Sequence, residues 1–128
     1  MNISWKPEGY TSVAPYLVVH GAQKVIDFLK KAFIATELRR YERPDGTIVH
    51  AELRIDDTVV MIADGKPDWP ASPCHLHVYV ENVDETYRRA IAAGGVSVQE
   101  PLRKDDPDRR GGFKDPAGNS WWVATQEE

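Results

Sequence analysis

Two short alternating runs hold most of the side chains with chemistry to offer: His50, Glu52 and Arg54 in one, His75, His77 and Tyr79 in the other. Spaced two apart, each trio projects from one face of a strand. A carboxylate and imidazoles gathered on such a face can orient a bound molecule or accept its proton, and with enough donors they can hold a divalent ion. His75, His77 and Glu52 are the groups placed to act as a general base, while no residue pattern names a nucleophile. Cys74, the only cysteine, excludes an internal disulfide and a multi-cysteine zinc site. It neighbours His75, but adjacent strand residues face opposite ways, so the two are not expected to pair; the thiol reads as a small buried hydrophobe.

The elements that must position these groups follow from periodicity. Val13 to His20 is rich in β-branched and aromatic residues and reads as a strand. Ala22, Val25, Ile26, Leu29, Ala32 and Phe33 recur at helical spacing. Thr36 to Arg43 reads as a strand, the Pro44-Asp45-Gly46 turn closes a hairpin, and Thr47 to Ile55 returns with Val49, Ala51, Leu53 and Ile55 on the apolar side. Thr58 to Ala63 follows the Asp56-Asp57 turn.

A segment with Pro67, Pro70 and Pro73 can continue neither ladder nor helix and is expected to link two halves. The same order then returns. Cys74 to Val80 is a strand, and Asn82 with Glu85 caps a helix that Gly94 ends. Val96 to Leu102, Arg109 to Lys114 and Ser120 to Thr125 complete the second half. Val19 matches Val80, and Met61 matches Trp122, both 61 positions apart. The expectation is an α+β fold of two βαβββ modules whose curved mixed sheets form a cupped pocket. It spans residues 1–128 as one domain, with modules at 12–64 and 74–126 and a linker at 65–73.

In each half the apolar set faces a helix, leaving the other set to line something else. That set comprises Tyr16 and Val18, then His50, Glu52, Arg54 and Met61, then His75, His77, Tyr79 and Trp122. Its mixture of aromatic, apolar and hydrogen-bonding groups suits a ligand pocket, with Val18 as wall and the other nine as ligand-binding candidates. A half-wet sheet face is the competing reading.

The 128 residues suffice for one core, and the formal charge of -4, with 16 Lys and Arg scattered along the chain, gives no footprint for nucleic acid. Met1 to Tyr10 includes Lys6 and Glu8 and no apolar run, so neither a leader nor a membrane span is expected, and the protein is placed in the cytoplasm.

The run Pro15-Tyr16-Leu17-Val18-Val19, the helix Val25 to Phe33 and the strand His50 to Ile55 resemble the vicinal oxygen chelate superfamily of glyoxalase I, bleomycin-resistance proteins and extradiol dioxygenases. The stretch Asp108-Arg109-Arg110-Gly111-Gly112-Phe113-Lys114-Asp115-Pro116-Ala117-Gly118-Asn119 is similar to a signature of its glyoxalase-like bacterial subgroup. The resemblance covers nearly the whole chain. Metal-bearing members use four ligands, normally two His and two Glu, from the first and last strands of each half. The resemblance puts Ala14, Met61, His75 and Trp122 at those places, and only His75 is a donor. No metal and no other cofactor are therefore expected, although His50, Glu52 and His77 on one face leave a non-standard site open.

The function expected is metal-free binding of an aromatic or cationic small molecule. The resemblance implies a homodimer. The alternatives are a lyase, isomerase or dioxygenase of the same superfamily, metal-dependent or metal-free, and an interaction module with a decayed pocket.

Overall fold

The computed structural model describes residues 3–128. The elements run β1 (Tyr16–Val19), α1 (Ala22–Phe33), β2 (Thr36–Glu42), β3 (Ile48–Ile55), β4 (Thr58–Asp64), β5 (His75–Tyr79), α2 (Val83–Ala92), β6 (Val96–Arg103), β7 (Asp108–Lys114) and β8 (Ser120–Gln126). They form two βαβββ modules. Each builds a mixed sheet of four strands, in the orders β1-β4-β3-β2 and β5-β8-β7-β6, with the first strand parallel to the last.

Two local differences from the alternation have physical causes. The first strand starts at Tyr16, not Val13, because Pro15 has no amide to donate and Val13 lies exposed in the preceding arm. In β3 it is Ile48 that is buried while Val49 is exposed. The pairing with β2 slips at Tyr41 and Glu42, and the Ile48 amide is held by the Asp64 carboxylate at 2.7 Å.

The same carboxylate closes α1. Gly21 precedes this helix at φ 80 and offers no side chain, so Asp64 Oδ1 accepts from the Ala22 amide at 2.8 Å. At α2 Asn82 accepts from Glu85, and Thr125 Oγ1 accepts from the Val83 amide at 2.9 Å. Ala22 and Val83, like Asp64 and Thr125, stand 61 positions apart, so each last strand fastens the start of its own module's helix. The period is not constant throughout. Glu52 faces Met61 where Gly112 faces Trp122, so β3 and β7 repeat at 60.

One core joins the modules. Leu17, Ile26, Leu29 and Ile62 belong to it from the first, and Phe113, Trp121 and Val123 from the second. Phe28 meets Phe113 edge-on at 5.7 Å, and Phe33 tilts against Trp121 at 5.2 Å. Full burial of each large side chain stabilises by roughly 1.5–3 kcal/mol. The helix α1 thus packs on its own sheet and on part of the other. Among the described residues no ladder joins β1 to β5. The chain between β4 and β5 runs beside β1, where Ser72 donates to Val18 O at 3.1 Å and Trp69 lies 5.5 Å from the Tyr16 ring.

Candidate functional site

On the first sheet, register puts Met61 beside both Tyr16 and Glu52. The Tyr16 hydroxyl lies 2.9 Å from His50 Nδ1, and His50 Nε2 lies 2.8 Å from Glu52 Oε2. Glu52 is only 2% exposed although it sits on the face away from α1. Its cover is the N-terminal arm, whose Tyr10 hydroxyl donates to Glu52 Oε1 at 2.5 Å. Arg54 is turned to the same arm, donating to Gly9 O at 2.6 Å, and Arg39 and Arg54 lie over the Tyr10 ring.

Burial by itself would raise the Glu52 pKa, but hydrogen bonds from His50 and Tyr10, with the positive charge of Arg39, hold it below its ordinary value. The carboxylate is therefore an acceptor at both oxygens, and the neutral His50 tautomer that matches it carries its proton on Nε2 and has Nδ1 free to accept from Tyr16. Burial first, and then the Glu52 charge, push the Tyr16 phenol up, so it stays protonated at rest.

The second sheet repeats the placement with other chemistry. Arg110 Nε donates to His77 Nε2 at 3.1 Å, on strands that correspond to those of His50 and Tyr16. Asp108 accepts from Tyr79 at 2.7 Å and from Arg110 at 2.9 Å. Burial, then Arg110, lower the His77 pKa and keep its imidazole neutral. The Trp122 and His75 rings lie 10° from parallel with centroids 6.5 Å apart, and Trp122 Nε1 donates to His75 Nδ1 at 3.2 Å.

Of the nine expected site residues, the structure brings Tyr16, His50 and Glu52 together beside Met61, joins His75 to Trp122, sets His77 against Tyr79, and sends Arg54 to the arm. Four of them, Tyr16, His75, His77 and Tyr79, line a groove of about 610 Å³ between β1 and β5, with Leu17, Val60, Leu76, Val78 and Trp121 as its apolar walls. The Asp56-Asp57-Thr58 turn closes part of its rim. Cys74 also lines it, and burial followed by the Asp115 charge raises the thiol pKa.

Tyr10, Trp69, Asp108 and Arg110 were not among the expected site residues. Asp108 and Arg110 were within reach, since they alternate on one face of β7 as His50 and Glu52 do on β3. Tyr10 and Trp69 sit in irregular segments, where periodicity gives no direction.

The donors do not fit the four-ligand metal site of this architecture. A thioether stands at Met61 and an indole, already bonded to His75, at Trp122. Among the described residues no three His, Cys, Asp or Glu side chains are grouped to hold an ion.

Two modules of this order, each with a mixed sheet of four strands, define the class. The chain belongs to the Glyoxalase/Bleomycin resistance protein/Dioxygenase superfamily, whose family model matches residues 10–123. An uncharacterised protein of Mycobacterium bovis is 39% identical over 121 residues, covering 86% of this chain and 80% of that one. TioX from Micromonospora sp. ML1 is 26% identical with a TM-score of 0.73, covering 90% of this chain and 95% of its own. TnmS3, an antibiotic binding protein from Streptomyces sp. CB03234, is 19% identical with a TM-score of 0.70, covering 98% and 99%. No helix among the described residues is long and apolar enough to cross a membrane.

Proposed function

We propose that this protein binds a planar aromatic small molecule, without a metal ion, in the groove between β1 and β5. The groove itself carries the reading: about 610 Å³, apolar walls, and a few polar groups at Tyr16, His75, His77 and Tyr79. That is the size and lining of sites for drug-sized ligands. The rings of Tyr16, His77 and Tyr79 offer stacking surfaces, and Asp56 and Asp57 on the rim favour a cationic substituent. The antibiotic-binding description of TnmS3 is consistent with such a role.

The proposal includes a homodimer. Its support is the apolar row Val96, Val98 and Leu102, left exposed on the edge strand β6.

A thermal-shift screen of the purified protein against planar aromatic compounds, with and without cationic groups, tests the binding. A hit should raise the melting temperature in a concentration-dependent way, because it binds the folded state. His77→Ala and Tyr79→Ala should weaken it. A hit indifferent to both would place the ligand elsewhere, and stoichiometric metal in the purified protein would overturn the metal-free reading. Light scattering across a dilution series tests the dimer, and a monomer at all concentrations would remove it.

A further inference from the structure

We propose that Glu52, His50 and Tyr16 form a proton relay that makes the Tyr16 hydroxyl an acceptor of acyl groups from activated esters. This activity goes beyond ligand binding. The observation is a continuous chain of polar atoms, with Glu52 Oε2 2.8 Å from His50 Nε2 and His50 Nδ1 2.9 Å from the Tyr16 oxygen. Carboxylate, imidazole and hydroxyl in this order are the parts of an activated nucleophile, recognised by geometry whatever the fold.

Each part is held for the task. Glu52 is 2% exposed and fixed by Tyr10 at its second oxygen, so the carboxylate cannot turn away from the imidazole. His50 is held at both ring nitrogens, by Glu52 and by Tyr16, and Tyr41 lies beside it with ring centroids 6.3 Å apart. Tyr16 is 40% exposed and lines the groove, so the residue is within reach of a reactant there. The raised phenol pKa means that no free tyrosinate stands ready, and the proton must leave as the new bond forms.

The step balances. Tyr16 Oη bonds to the ester carbonyl carbon while its proton passes to His50 Nδ1, and the Glu52 carboxylate stabilises the imidazolium. The tetrahedral adduct expels the leaving group, which takes the proton from His50. The products are an O-acyl tyrosine and a free alcohol or phenol.

Treatment of the full-length protein with p-nitrophenyl acetate, followed by peptide mass mapping over time, tests this. Tyr16 should be acetylated roughly a hundred-fold faster than the other tyrosines, the scale of general-base assistance. His50→Gln, checked for folding by circular dichroism, should bring Tyr16 to the common rate. The fast reaction should also slow in D2O, a readout that needs no variant. Labelling of Tyr16 at the common rate, fast labelling that survives His50→Gln, or the absence of a solvent isotope effect each overturn the relay. The probe is too small to need the aromatic site, so a failed ligand screen would leave this result standing.

Discussion

The indole of Trp122 lies on Gly112 so closely that a β-carbon added there would come within 2.7 Å of two ring carbons. Glycine at this position on β7 is what lets the ring lie flat and reach His75. Gly112→Ala must push the ring off, at about 1–3 kcal/mol of stability. In a Trp122→Ala background the same change should cost less than about 0.5 kcal/mol, because the clash is gone. Urea unfolding of the four chains of this cycle measures both numbers, and equal costs in the two backgrounds would refute the contact.

Asp115 is a buried hub. Its carboxylate accepts from the amides of Ala117 and Asn119, from Asn119 Nδ2 and from Trp121 Nε1. Trp121 is fully buried and Asn119 is 1% exposed, so Asp115→Ala strands donors with no water to replace the acceptor. At about 1–3 kcal/mol for each stranded group, the loss should be roughly 3 kcal/mol or more. Chemical denaturation monitored by tryptophan fluorescence gives the value.

Acid should weaken the fold partly through Glu52. Its folded pKa lies below the ordinary 4.5, so the folded state binds its proton less readily than the unfolded chain does. The stabilisation is present above the unfolded value and is lost as pH falls through the folded one. Between about pH 5 and pH 3 the wild type should lose stability more steeply than Glu52→Gln, which has no carboxyl to titrate there. Parallel slopes in pH-dependent unfolding would show that Glu52 is not a source of the acid sensitivity.

The two helix fastenings should differ in strength. Asp64→Ala removes one carboxylate from two amides, Ala22 and Ile48, whereas Thr125→Val removes a hydroxyl from Val83 and Val80. Losses of about 2 kcal/mol and about 1 kcal/mol are expected, the charged acceptor being the stronger. Thermal melts of the two variants rank them, and the reverse order would contradict this account.

The repeat was legible because it lives in local periodicity: alternation in β3 and β5, helical spacing in α1, and the Asn82 cap each depend on residues within a few positions. The faces of Tyr16, His50, His77 and Trp122 followed from the same arithmetic. What could not be read was burial imposed from a distance. Glu52 looked like a pocket group, yet Tyr10, 42 positions earlier, covers it. Arg54 alternates correctly and still points to Gly9, because the arm offers a carbonyl that no periodicity announces. Asp115 read as part of a turn, and nothing local says that the indole of Trp121 ends on it.

The fastening of each module by its own last strand bears on ancestry. Asp64 and Thr125 do the same work on Ala22 and Val83, one with a charge and one with a hydroxyl. A segment whose end secures its own beginning carries its closure with it when copied in tandem. After such a duplication the two copies can drift until hardly a letter agrees, provided that some acceptor survives at that one address. The kinship of the halves is then recorded in a bond rather than in shared residues.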